Sequence, residues 1–163
     1  MVPHLRSQAL ASDPLTGFGT RAGLMVHLAE AVEPESEPSV FVVFGLGGLD
    51  DHELAHGLEA TNDLIARLAD DFARMVRPEG VCYAPRRREF CAIFELSVVE
   101  VSPILANAAI TLRRESALAE LLIAFGLAVL PAQADDPLAA LRVADGNLVQ
   151  ARKTQRRNRA ALG

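Results

Sequence analysis

Two runs of consecutive apolar residues predict buried strands in this sequence. Residues 40–44 read Val-Phe-Val-Val-Phe, and residues 121–130 form a second run that Gly126 interrupts. Neither run alternates with polar residues, a pattern that is typical of strands covered on both faces. The sequence therefore predicts a sheet with helices on its two sides.

Two further apolar segments, residues 81–84 and 89–96, flank a basic turn and predict a hairpin. If Arg86 and Arg87 form a two-residue turn, then the two cysteines of the chain, Cys82 and Cys91, face each other across the strands. Two cysteines are too few for a disulfide framework or a four-cysteine zinc site. We expect buried thiols, with a redox pair as the alternative.

Apolar positions at steps of three and four predict helices between these strands. The expected helices cover residues 20–32, 51–75, 102–116 and the stretch that follows Asp136. Thr20 can serve as the N-cap of the first helix, and Asp136 with Pro137 provides a cap followed by proline at the first helical position. Two apolar stripes carry the prediction: Leu54, Leu58, Thr61, Ile65, Leu68, Phe72 and Met75 on the longest helix, and Leu141, Ala144, Leu148 and Ala151 on the last.

The resulting order is helix, strand, helix, hairpin, helix, strand, helix. It predicts the α/β (α+β) class, with a central, mostly antiparallel sheet flanked by helices. A length of 163 residues suits one domain, and a composition of 50% hydrophobic and 23% charged residues is globular.

The charge and the hydropathy of the chain exclude several classes of partner. A net charge of −5 disfavours a whole-protein electrostatic grip on nucleic acid. The longest apolar run, residues 121–130, is about half of what a membrane helix needs, and no signal sequence opens the chain. We expect a cytoplasmic protein without nucleic-acid or membrane partners.

Motifs near both ends of the sequence resemble those of a known family. Residues 13–21, Asp-Pro-Leu-Thr-Gly-Phe-Gly-Thr-Arg, closely resemble the D-x-L-T-G-L-x-N-R opening of GGDEF domains, the diguanylate cyclase family. Residues 144–156 resemble that family's closing helix, and the hairpin carries Arg-Arg-Arg-Glu-Phe at 86–90 in place of the signature. The resemblance implies the nucleotidyl-cyclase-like fold over residues 13–159, with an N-terminal arm (1–12) and a short tail (160–163).

The same resemblance implies that the cyclase chemistry is lost. Active members hold two divalent cations with carboxylates at the end of the first strand and at the third signature position, because Mg²⁺ prefers such hard oxygen ligands. The matching residues here are Gly45, Gly47 for a second aspartate, and Arg88, while Glu89 keeps the acid that follows. Asp50 stands where the family has a phosphate-contacting lysine. We therefore expect no bound magnesium and no catalytic residues.

The two reversals of charge suggest a salt bridge. In the family, the positions of Asp50 and Arg88 line one site, so Arg88 or its neighbour Arg87 is expected to pair with Asp50 or Asp51 and to plug the former metal pocket. A separation above about 8 Å would leave such a pair screened by water and salt.

Some nucleotide-site positions keep polar side chains. The residues that match the guanine-reading pair of the family are Glu53 and Asn62, and those that match its phosphate-contacting Lys and Arg are Arg152 and Arg156. A spacing of four places the two arginines on one helix face. The alternative interpretation is a solvated basic helix end that complements the helix dipole.

The product-inhibition motif of the family, R-x-x-D, is matched by Arg77-Pro78-Glu79-Gly80. The arginine is present and the aspartate is not. We therefore do not expect recognition of cyclic di-GMP at this turn.

A rival motif lies at residues 52–56, which read His-Glu-Leu-Ala-His. Two histidines one turn apart can ligate Zn²⁺, with Glu53 as general base. The acidic pair that precedes His52 indicates a helix start rather than a buried helix, and no third histidine follows His56 at the spacing of such enzymes. A zinc hydrolase is thus the third hypothesis.

The leading hypothesis is a catalytically inactive GGDEF-like domain that acts as a regulatory or protein-interaction module in cyclic-dinucleotide signalling. Its expected partner is another protein or a second copy of the chain. A domain that binds GTP through Glu53, Asn62, Arg152 and Arg156 without turnover is the alternative.

Overall fold

The computed structural model describes residues 11–162, and its centre is one four-stranded sheet. Residues 1–10 of the predicted N-terminal arm lie outside the described part. The strands are β1 (Ser39–Gly47), β2 (Gly80–Arg86), β3 (Glu89–Phe94) and β4 (Leu122–Leu130). They lie in the order β2-β3-β1-β4 with every neighbouring pair antiparallel, which confirms the predicted sheet.

Helices cover both faces of this sheet. They are α1 (Arg21–Ala31), α2 (Leu49–His56), α3 (Leu58–Val76), α4 (Val98–Ser116) and α5 (Pro137–Leu162), and a 3-10 turn follows α4. Helices α3 and α4 pack on one face, and α1 and α5 on the other. Among residues 11–162, no helix combines the length and the apolar character needed to cross a bilayer.

The central strand β1 contributes side chains to the hydrophobic cores on both faces of the sheet. Val40, Val42 and Phe44 point to the layer of α3 and α4, whereas Phe41 and Val43 point to the layer of α1 and α5. All five side chains are buried. The run without polar alternation thus marks a strand covered on both sides, as expected from successive side chains pointing to opposite faces.

The predicted long helix is two helices, because Gly57 breaks it. Gly57 has φ +90°, a left-handed conformation that other residues rarely adopt, and it separates α2 from α3. The expected single stripe is therefore wrong at its start: Leu54 is 86% exposed and Leu58 is 58% exposed. From Thr61 onward the stripe is confirmed, since its members pack into the core of α3 and α4.

The hairpin register differs from the expected one. Arg86 pairs with Glu89, so the turn residues are Arg87 and Arg88, and an irregularity follows Tyr83 on β2. As a result Cys91 lies opposite Tyr83 rather than opposite Cys82.

The two cysteines consequently point to opposite faces of the sheet. Cys82 belongs to the core of α3 and α4, and Cys91 to that of α1 and α5. Burial raises the pKa of the Cys82 thiol to about 12 and that of Cys91 well above its ordinary value. Buried thiols are confirmed, and a facing redox pair is excluded by the register.

Capping residues explain where α4 and α5 begin. The Oγ of Ser97 accepts from the amide of Glu100 at 3.2 Å, so α4 starts at Val98, earlier than predicted, with Pro103 inside the helix. The predicted cap of α5 is confirmed, since the amide of Ala139 donates to Asp136 Oδ1 at 2.7 Å. Thr20 occupies the N-cap position of α1 but makes no capping hydrogen bond with its side chain.

The backbone of helix α5 packs directly against strand β4. A Cβ placed on Gly126 would overlap the amide nitrogen of Leu148 and the carbonyl oxygen of Ala144, and would lie 2.7 Å from the carbonyl carbon of Asn147. These are backbone atoms, which cannot rotate away as a side chain can. Gly126 therefore sets the distance between helix and sheet.

Gly126→Ala tests this close approach. The added methyl group must push α5 off the sheet, and we expect a loss of about 3 kcal/mol in the free energy of unfolding. The matched control is Gly146→Ala on the same helix, where an added Cβ meets nothing within 4 Å. That control should stabilise the chain by about 0.5–1 kcal/mol. Urea unfolding measures both, and equal stability of the two variants would contradict the predicted packing.

Candidate functional site

A cleft of about 690 Å³ opens where β1 ends beside the β2-β3 turn and the C-terminal half of α5. We call it the arginine cleft. Its polar and charged lining consists of Asp50, Asp51, Arg86, Arg87, Arg88, Glu89, Arg152, Gln155 and Arg156. The structure thus brings together most of the positions that the resemblance matches to a nucleotide and metal site.

Gly45, matched to the first metal carboxylate, has its side-chain space filled by an arginine. A Cβ on Gly45 would overlap the Nη2 atom of Arg152 and lie 2.9 Å from its Cζ. Gly47 likewise offers no side-chain oxygen. A positive group lies at this end of β1, where a cation site would require a negative one.

Arg88, matched to the signature metal ligand, forms an ion pair. Its Nη2 lies 2.6 Å from Asp50 Oδ2, and both side chains are largely exposed. The predicted bridge across the cleft is therefore present. Exposed ion pairs contribute on the order of 1 kcal/mol or less to the free energy of unfolding. This contact therefore affects the electrostatic potential of the cleft more than the stability of the fold.

The residues that remain do not fit a metal site. Within residues 11–162, no group of three or more His, Cys, Asp or Glu side chains lies close enough to hold a metal ion. Asp50 is engaged by a cation, and Arg152 covers Gly45. A divalent cation would have to displace both arginines.

Arg87 makes a contact that the sequence interpretation missed. Its Nη1 donates to Glu53 Oε1 at 2.6 Å and its Nη2 donates to Asn62 Oδ1 at 2.8 Å. These two acceptors are the pair matched to the guanine-reading residues. The signal that could have found the contact is the hairpin register, because a turn at Arg87 and Arg88 places Arg87 over α2 and α3.

Glu89 keeps the acid of the signature in a largely buried position opposite Gly45. Burial raises the pKa of the Glu89 carboxyl above its usual value, and the negative charge of Asp145 adds to the rise. Three cations oppose that rise without cancelling it: Arg86, Arg152 and Arg21. The carboxyl therefore ionises less readily here than in water.

Helix α5 supplies the basic wall of the cleft. Arg152 and Arg156 both line it, as their spacing predicts, but Arg152 turns inward over Gly45 while Arg156 stays exposed. Between them, Gln155 Nε2 donates to the carbonyl oxygen of Ile123 at 3.1 Å, which ties the helix to β4.

The two histidines of the rival motif serve the junction of α2 and α3. Thr61 Oγ1 donates to the carbonyl oxygen of Gly57 at 2.9 Å, so the 2.7 Å contact from His52 Nδ1 to that hydroxyl requires a proton on Nδ1. The His52 and His56 rings lie 4.6 Å apart. No third ligand joins them in the described part of the chain, so nothing here favours the zinc hypothesis.

Arg77, matched to the product-inhibition arginine, lies in a different cleft. Its guanidinium is 5.7 Å from the centroid of the Phe18 ring, and it also interacts with the Cys82 thiol. This second cleft, of about 680 Å³, includes Glu79 and Gly80 from the turn before β2.

Comparison with known proteins identifies the family of this chain. A family model described as diguanylate cyclase, GGDEF domain, matches residues 10–159. No curated protein matches the chain.

Several solved structures share the fold. The GGDEF domain of FimX from Pseudomonas aeruginosa gives a TM-score of 0.76 at 17% identity, covering 89% of this chain and 95% of that one. The GGDEF domain of DgcB from Caulobacter crescentus, in complex with c-di-GMP, gives 0.76 at 17% identity and covers 88% of both chains. Diguanylate cyclase SiaD from Pseudomonas aeruginosa, in complex with its activator SiaC, gives 0.77 at 15% identity, covering 92% of this chain and 61% of that one.

Glu89→Gln tests the burial of the carboxyl. Because the folded chain raises its pKa, Glu89 contributes stability below the unfolded-state pKa of about 4.3, and this contribution is lost as the pH rises through the folded-state value. The amide cannot ionise, so the variant should melt about 2 °C higher than the parent chain at pH 7. The difference should shrink as the pH falls toward 4.

Thermal unfolding followed by circular dichroism from pH 4 to pH 8 measures this difference. Asp51→Asn, at an exposed acid of the same cleft, is the control and should show a smaller pH-dependent change. A lower melting temperature for Glu89→Gln at pH 7 would mean that attraction to the arginines outweighs burial.

Proposed function

The chain belongs to the GGDEF domain family of diguanylate cyclases, and from that premise we propose that it is a catalytically inactive member that acts as a regulatory or protein-interaction module. GGDEF domains operate in cyclic-di-GMP signalling, and this is the setting of the proposal. The main support for this proposal is that the Arg152 guanidinium occupies the space that a side chain at position 45 would fill.

The electrostatics of the cleft support the loss of activity. Two-metal phosphoryl chemistry needs anionic ligands that hold the cations against the phosphates. Arg152 lies where one carboxylate would stand, and Arg88 replaces the other and binds Asp50. Both substitutions place positive charge against a metal ion, so we infer that magnesium does not bind.

A protein partner is the proposed target of the retained scaffold. In the family, the SiaD structure is that of a complex with its activator SiaC. For this chain we propose a comparable use of the domain, with another protein or a second copy of the chain as partner. No nucleic acid or membrane enters the proposal.

Cyclic di-GMP is not part of the proposed function. The DgcB domain is crystallised with that nucleotide. Here Gly80 stands at the aspartate position of the inhibition motif, and Arg77 is engaged with Phe18 and Cys82. We therefore propose that this turn does not recognise it.

A second candidate, binding of GTP without turnover, is favoured by one observation. Arg156 is exposed on the wall of a cleft of about 690 Å³ that also contains Arg152. Arginine contacts phosphate oxygens in a bidentate manner and needs no metal to do so. The proposed ligand would then be held by its phosphates.

An assay of cyclic di-GMP synthesis tests the leading proposal. With GTP and Mg²⁺, the pure protein should form product at least about 1,000-fold more slowly than an active GGDEF enzyme assayed in parallel. Chromatography of the reaction mixture quantifies the product. Synthesis above that level that disappears in Glu89→Gln would overturn the proposal, whereas synthesis that persists in Glu89→Gln would reveal a contaminating enzyme.

Calorimetric titration with GTP, once with Mg²⁺ and once with EDTA, tests the second candidate. Binding that is indifferent to the metal and at least about tenfold weaker in Arg156→Ala is expected if the arginines hold the phosphates. Arg157→Ala changes the next residue, which does not line the cleft, and should leave the affinity unchanged. If the parent chain shows no binding of GTP in either titration, this candidate is excluded and the protein-interaction proposal remains.

A further inference from the structure

Arg87, which lines the arginine cleft, joins two helices through its hydrogen bonds. Glu53 lies on α2 and Asn62 on α3, on either side of the break at Gly57, and one guanidinium bridges them at 2.6 and 2.8 Å. The Arg87 and Glu53 side chains are 36% and 37% exposed. The bridge therefore lies at a surface that a ligand can reach.

The donor pattern of this bridge resembles that of a guanine base. A guanidinium edge presents neighbouring N–H groups in one plane. Guanine presents the same arrangement through its ring N1–H and its exocyclic 2-amino group, and a carboxylate beside an amide oxygen can accept from both. Adenine carries an unprotonated N1 at that edge and no 2-amino group, so it cannot replace the arginine.

We propose that Arg87 is an internal occupant of a guanine-binding subsite, and that it keeps Glu53 and Asn62 closed until it is displaced. This inference rests on the second candidate function, binding without turnover, and adds a gate to it. The gate is reversible, because an ion pair exposed by about a third contributes little free energy. Displacement frees both acceptors for another pair of donors.

The other two arginines of the turn have different partners. The Nη2 atom of Arg88 lies 2.6 Å from Asp50 Oδ2, and the Nη1 atom of Arg86 lies 3.9 Å from Glu89 Oε1. Of the three consecutive arginines, only Arg87 reaches the matched base-reading pair through hydrogen bonds in the described structure. Arg86 therefore provides a control of the same charge in the same turn.

Calorimetric titration with GMP tests the gate. GMP carries no triphosphate, so cyclase turnover cannot contribute, and the result is independent of the synthesis assay. We expect Arg87→Ala to bind GMP about two- to fivefold more tightly than the parent chain. The affinity of Arg86→Ala for GMP should not exceed that of the parent, and AMP should gain nothing in either variant.

The direction of the change makes the test decisive. Removal of a positive charge weakens attraction to a phosphate, so a gain in GMP affinity cannot arise from general electrostatics. Adding Glu53→Ala to Arg87→Ala should abolish the gain.

Three outcomes would overturn the gate: equal GMP affinity in the parent and Arg87→Ala, no binding in either, or an equal gain for AMP. Melting curves of the variants establish that each one is folded.

Discussion

Helix α5 contacts the sheet at backbone distance, and much of the surrounding structure follows from this contact. Gly126 on β4 and Gly45 on β1 lie under this helix, and neither carries a side chain. At Gly126 the missing Cβ admits the helix backbone itself. At Gly45 it admits the Arg152 guanidinium. The packing of α5 therefore determines both the hydrophobic core that α1 and α5 form with the sheet and the position of Arg152 in the arginine cleft.

The cleft that results is organised by charge within the chain. Arg88 binds Asp50, and Arg87 binds Glu53, so acids that could attract cations are already engaged. Both pairs are substantially exposed, and such pairs contribute little to the stability of the fold. The arginines thus place positive charge where a metal ion would need anionic ligands, while their own contacts remain weak enough to exchange.

Much of the fold could be predicted from local pattern. Val40–Phe44 specifies a strand buried on both faces, and Asp136 followed by Pro137 specifies the start of α5. One error arose where a single backbone torsion decided the outcome. Gly57 breaks the expected long helix because its positive φ redirects the chain. Apolar spacing in the sequence continues across that break and does not reveal it.

Residue identity and periodicity along the chain suffice to predict the class of the fold, the family resemblance and the absence of carboxylates at Gly45 and Arg88. Which charged side chains form ion pairs depends on the packing of the folded chain. The turn at Arg87 and Arg88 lies one residue beyond the expected one, and in a strand a shift of one residue exchanges the two faces. Arg87 reaches Glu53 and Asn62 for that reason, since its partners are set by strand pairing and helix packing over long separations rather than by its neighbours in sequence.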